Sequence, residues 1–160
     1  MAIISSFCHQ FVGVRVFELF EGALDINALN TKYYDLVKGL NCGAWLSFCG
    51  IVRAEDGVEA LFFEMDETLL QTWFKAWQIK VLNENVKLFF AHSKGLVKAS
   101  QSSYLAGVLS KQRKLGLRLL NDFVEDFKAN APIWKYDVIK GEKIYAKERS
   151  TKLFGAGLLS

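Results

Sequence analysis

The sequence predicts an α+β domain, a mostly antiparallel sheet with about three helices. Apolar runs of strand length bounded by turn residues are the first sign, and three longer segments with apolar residues at helical spacing are the second. The third is the short turn chemistry between neighbouring strands, because only antiparallel strands can be joined by tight hairpins. Strands and helices are interspersed along the chain, yet the hairpins favour antiparallel pairing, hence α+β. At 160 residues the chain is expected to form one domain over 1–160, long enough to bury a core.

The elements follow in order. Residues 11–20 alternate enough to be a strand. Asp25 has the chemistry of an N-cap for a helix with Ile26, Leu29, Tyr33, Leu36, Val37 and Leu40 on one side, ended by Gly39 and Gly43. AWLSFCGIVR (residues 44–53) reads as a largely buried strand, AEDG as a turn and VEALFFEM (58–65) as the returning strand. Leu70, Trp73, Phe74, Trp77 and Val81 have helical spacing and predict a second helix over 66–83. VKLFFAH (86–92) and SSYLAGVLS (102–110) are further strands, with a weaker one at 96–99. A third helix is expected over 111–129. It must stop before Pro132, the only proline, which lacks an N–H and disfavours helical geometry at Ala131. IWKYDVI, the turn KGEK and IYAKE then form a closing hairpin.

Composition removes several function classes. With 51% hydrophobic and 23% charged residues the chain is globular, not disordered. A formal charge of +3 is too small to point to nucleic acid, and no basic block stands beside stacking aromatics. No apolar run approaches the ~20 residues of a membrane span. The start, MAIISSFCHQ, has no basic n-region or long apolar h-region, so no signal peptide is read there and a cytoplasmic location is expected. Cys8, Cys42 and Cys49 form no CxxC, and with only His9 and His92 as histidines no metal-ligand cluster is visible. Cys49 reads as a small core residue.

The chemistry-bearing residues lie around the proline. On a helical wheel Leu120, Phe123, Val124 and Phe127 share one arc facing the core, while Arg118, Asp122, Glu125 and Asp126 lie outside it. Arg113 projects into the apolar arc one helix length away, and Lys128 onto its edge. Each cation has a plain explanation: its stem covers apolar surface, and Lys128 in the last turn meets the helix dipole. Lys135, just past Pro132, adds weight to a functional one. A lysine against an aromatic wall, which Ile133 and Trp134 could supply, is desolvated and better able to act as nucleophile or base. Arg53, ending an apolar strand after Ile51 and Val52, suits a phosphate or carboxylate, though it also reads as an exposed strand end. Residue spacing alone therefore leaves an anion pocket open alongside ordinary surface cations.

Four segments carry a resemblance: FKANAPIWKYD, GAWLSFCGIVR, AHSKG and LSKQR. In order and spacing they resemble the large, catalytic subunit of molybdopterin synthase over residues 43–148. The resemblance implies an α/β-hammerhead-like fold and a sulfurtransferase without a cofactor of its own. Its substrate would be cyclic pyranopterin monophosphate, which receives two sulfurs to become the molybdopterin dithiolene. The sulfur would arrive as a thiocarboxylate on the Gly-Gly tail of a small ubiquitin-like subunit. The assembly implied is a homodimer of large subunits within a heterotetramer. By motif, Lys128 and Lys135 take the catalytic positions, and Ile51, Val52 and Arg53 the substrate-contacting strand end. Gln112 and Arg113 take the positions of the family's His-Arg pair, which binds phosphate across the dimer, and Tyr136 and Asp137 those of the segment after the second lysine. Gln112 stands where the family has histidine and carries no charge. The alternatives are a non-catalytic dimeric relative that keeps the small subunit, and a module that binds a small anionic ligand.

Overall fold

The computed structural model describes residues 16–147. Their order is β1 (Phe17–Glu21), α1 (Ile26–Val37), β2 (Ala44–Ile51), β3 (Ala60–Met65), α2 (Glu67–Lys80), β4 (Val86–Lys98), β5 (Ser102–Ser110), α3 (Arg113–Asn130), β6 (Ile133–Ile139) and β7 (Glu142–Tyr145). Residues 11–15 of the first expected strand, Glu148 of the last one, and residues 1–10 and 149–160 lie outside the described residues.

The sheet runs β2-β5-β4-β3-β6-β7, with β1 beside β4. Every pairing is antiparallel except β1 with β4, which is parallel. The α+β expectation therefore holds, with one parallel addition. Two strand expectations merge: residues 86–92 and 96–99 belong to the single β4. Gly95 makes the join possible, at φ +71 inside the strand. There the chain changes partners, from β5 before the glycine to β3 from Gly95 onward.

Both early helices start on an aspartate. Asp25 accepts from the Ala28 N–H and Asp66 from the Leu69 N–H, each at 2.9 Å. Leu29, Tyr33 and Val37 bury the inner face of α1, whereas Leu36, expected on that face, is 37% exposed at its rim. The second helix ends at Lys80, short of the expected 83, because a single 3-10 turn (Leu82–Glu84) and left-handed Asn85 close it. The inner face of α3 is Gly116, Leu119, Phe123, Val124 and Phe127, with Leu120 only half-buried. Gly116 lets the helix close on the sheet: a Cβ there would lie 2.6 Å from Leu46 Cδ1 and 3.2 Å from Ser110 Cβ.

Phe90 at the centre of β4 is fully buried and is the hub of the core. It meets Phe17 of β1 at 5.2 Å, Tyr104 of β5 at 5.5 Å and Phe127 of α3 at 5.6 Å between ring centroids. Each such ring taken out of water contributes about 2–3 kcal/mol. This packing fixes the end of α3, and hence Lys128, against the sheet.

Candidate functional site

The site forms where α3 gives way to β6. The helix stops at Asn130, and Ala131 turns extended (φ −67, ψ 132) while its N–H still donates to the Phe127 carbonyl. The residue before a proline is pushed out of helical geometry, so the stop is local chemistry. Beginning at Ile133 the chain runs as a strand, and side chains alternate. Lys135, Asp137 and Ile139 point into a cleft; Leu61 and Phe63, opposite Asp137 and Lys135 in the β3–β6 ladder, line the same space. Lys128 reaches the cleft from the last turn of α3, its Nζ 6.0 Å from the Phe48 ring.

The opposite wall is the end of β2. A register shift between Gly50 and Ile51 bends the strand out of its ladder with β5. Val52 is buried, held by its N–H to the Gln101 carbonyl and by its carbonyl to the Ser100 N–H, at 2.9 and 2.8 Å. Ile51 is 60% exposed on the cleft rim. The exposed Arg53 guanidinium is bridged to Glu55 at 3.0 Å.

Together these walls enclose about 770 Å³, a volume suited to a small molecule. Its ionic lining is balanced within one chain: Arg53, Lys128 and Lys135 against Glu55, Asp56 and Asp137. Its polar floor is His92, Tyr104, Ser103 and Cys49. His92 is 1% exposed, and its Nδ1 lies 2.7 Å from the Ser93 carbonyl oxygen. Burial pushes the His92 pKa down to about 4; the Ser93 bond opposes this and the Lys135 charge adds to it. Tyr104 stacks on Phe127 at 4.1 Å, and burial raises its phenol well above the ordinary range. Cys49 Sγ is 3.3 Å from Ser102 Oγ.

The model of the MoaE protein family matches residues 24–130. The molybdopterin synthase catalytic subunit of Helicobacter pylori (strain ATCC 700392 / 26695) is 48% identical over 143 residues, 89% of this chain and 99% of that protein. The chain belongs to the MoaE family. Its function is accordingly that of a molybdopterin synthase catalytic subunit, an enzyme of molybdenum-cofactor biosynthesis. Among solved structures, the complex of subunits 1 and 2 of molybdopterin-converting factor from Helicobacter pylori 26695 matches with a TM-score of 0.84 and 48% identity, covering 91% of this chain and 99% of that one. The molybdopterin biosynthesis MoaE protein of Burkholderia ambifaria MC40-6 shares the fold, with a TM-score of 0.68 at 17% identity, over 87% of this chain and 93% of that one.

In this MoaE chain the cleft collects Ile51, Val52, Arg53, Lys128, Lys135 and Asp137, and omits Gln112, Arg113 and Tyr136. Tyr136 falls on the other face of β6, where its hydroxyl donates to Glu64 at 3.0 Å. Gln112 and Arg113 stand at the far end of α3, about 22 Å from Lys128 at 1.5 Å per residue. Ile133 and Trp134 are not the aromatic wall either; Phe48, Phe127 and Tyr104 are. Asp126, expected to face water, is half-buried and accepts from Trp73 Nε1 and Trp77 Nε1 at 2.8 and 2.6 Å.

Sequence reasoning missed the floor. His92, Ser103 and Tyr104 sit in apolar strands and read as core, and core is where most of their surface lies. The available signal was alternation: Phe90 and His92 share one face of β4, the face that Phe127 covers. Among the described residues no cluster of three or more His, Cys, Asp or Glu could hold a metal, and no helix is long and apolar enough to cross a membrane.

Proposed function

We propose that this cleft is where sulfur is transferred to cyclic pyranopterin monophosphate. One observation carries the reading: the break at Pro132 brings Lys128 and Lys135 into one cleft with Arg53. Each transfer breaks the acyl C–S bond of the small subunit's C-terminal thiocarboxylate and a C–O bond of the substrate. Sulfur takes the place of oxygen on the substrate carbon, and an oxygen from water or from the substrate returns the acyl carbon to a carboxylate, so that no oxidant or reductant is needed. Both reactants are anions, and Lys128, Lys135 and Arg53 can donate charge-assisted hydrogen bonds to them and stabilise charge as it develops. Lys128 is the main catalytic group, by proton transfer or a transient covalent link, and Lys135 orients the substrate. Arg53, with Ile51 and Val52, holds the substrate at the end of β2, and Asp137 neighbours it on β6. Tyr136 fixes β6 to β3 through its hydrogen bond to Glu64.

The balanced charge of the cleft supports a second copy of the chain. The cleft of one chain brings a phosphate no net positive charge, and Arg113 is a helix length away. In a homodimer, Gln112 and Arg113 of one copy complete the cleft of the other. The Helicobacter neighbour, a complex of subunits 1 and 2, supports a small-subunit partner; one on each copy of the homodimer would make a heterotetramer. The chain works as one domain, and its free Cys42 and Cys49 suit a reducing cytoplasm.

The deciding experiment is reconstitution with a thiocarboxylated Gly-Gly partner and pyranopterin substrate. Lys128→Ala is expected to bind both and to form dithiolene at least 100-fold more slowly, on the order of a lost acid–base group. Normal turnover by Lys128→Ala would overturn the role of Lys128. Binding without turnover by the parent chain would instead favour a non-catalytic relative, the reading that Gln112 supports.

A further inference from the structure

His92 and Tyr104 are buried titratable groups of the cleft that the proposed chemistry leaves unused, and His92 is the one that feels a charged neighbour. Every ring around it is an aromatic carbocycle: Phe63 edge-on at 5.0 Å, Phe127 at 5.4 Å, Tyr104 at 5.6 Å and Phe90 at 6.2 Å. A phenylalanine would fill such a space without leaving a polar atom to satisfy. The Ser93 carbonyl can only accept, so Nδ1 carries the hydrogen and donates to it. In the neutral ring Nε2 is then left as a lone pair, a hydrogen-bond acceptor and not a donor. The neighbour best placed to use it is Lys135. Phe63, whose ring meets His92, is directly opposite Lys135 in the β3–β6 ladder, and paired residues of a sheet project to the same face. Both His92 and Lys135 line the cleft, and the Lys135 charge is felt at the imidazole.

We propose that His92 is a positioning residue for Lys135: its imidazole, fixed as the Nδ1–H tautomer by the Ser93 carbonyl, offers the Nε2 lone pair to the Lys135 ammonium and restrains its direction in the cleft. One N–H of the ammonium is directed to the histidine, and this contact sets the line along which the side chain enters the cleft. The inference rests on the sulfur-transfer reading only for its kinetic consequence; the contact itself is a property of the chain alone. Near pH 7 burial keeps this ring neutral, so its part is to accept a hydrogen bond.

The test has two arms. The chain contains only two histidines, His9 and His92, so the imidazole 15N signals of labelled protein are assigned by comparison with His92→Gln. The parent is expected to show an unprotonated Nε2 that accepts a hydrogen bond, and in Lys135→Met this signal moves downfield to the position of a free acceptor. An Nε2 signal unmoved by Lys135→Met, or an Nε2–H tautomer in the parent, overturns the proposal. In the reconstituted reaction, His92→Phe is expected to lower kcat about tenfold or more with KM little changed. His92→Gln, whose amide oxygen reaches the Nε2 position, recovers most of that loss. Equal losses in the two variants, or none in His92→Phe, count against positioning. Should the parent chain make no dithiolene, the sulfur-transfer reading fails while the 15N arm still decides the contact.

Discussion

Arg53 shows how much a single residue's surroundings qualify its role. The guanidinium suits a phosphate, yet in this structure it is held by Glu55 at 3.0 Å, with both side chains more than half exposed. An incoming anion must displace that carboxylate. Exposed ion pairs are worth about 0.2–1 kcal/mol, so the displacement is a modest cost and not a lock. Glu55→Gln removes the competing charge and is expected to lower the KM for the phosphate-bearing substrate about two- to fivefold, most clearly at low ionic strength. An unchanged or higher KM at low salt would show that Glu55 does not compete for Arg53.

Between elements, the decisive contact is Asp126 of α3 with the two indole N–H groups of α2. Desolvation alone would raise the Asp126 pKa. The hydrogen bonds from Trp77, Asn130 and Trp73 outweigh it and hold the carboxyl below its usual value. Asp126→Ala leaves two indoles without their charged acceptor and is expected to cost about 2–3 kcal/mol in denaturant unfolding. A loss within the few tenths typical of a surface change would mean that water replaces the carboxylate fully. This contact also marks a limit of what the sequence reveals. Helical spacing identified the inner face through Phe123, Val124 and Phe127, and Pro132 fixed the helix end, because both are local effects. A wheel cannot show that a second helix lies against the polar flank. Likewise, alternation along β6 separates Lys135 and Asp137 from Tyr136, but motif order alone treats all three as one segment. The His92 floor needed the β4–β5 ladder and the cover of α3, contacts distant in sequence.

For the molecule as a whole, buried His92 ties stability to pH. Its folded pKa of about 4 lies below the ordinary 6.5, so between these values the unfolded chain binds a proton that the folded chain refuses. Its contribution is therefore complete above pH 6.5, falls as pH drops towards 4, and is constant below. The depression corresponds to about 3 kcal/mol. Asp126, a depressed carboxylate, adds its loss only below its unfolded pKa of 3.8. Unfolding free energy measured from pH 7 to 4 should fall over this window in the parent and fall less in His92→Phe. An identical slope in the two would show that other groups set the acid sensitivity.

The length of α3 has a consequence for how two copies share work. With Lys128 and Arg113 about 22 Å apart on one rigid helix, the proposed homodimer makes each helix serve two clefts, one at either end. Lys128→Ala and Arg113→Ala, each expected to lose most activity alone, should then rescue each other when unfolded and refolded together. In the mixed dimer one cleft receives both lesions and the other neither. Random pairing therefore returns about one quarter of the parental activity, whereas clefts contained within single chains would return none.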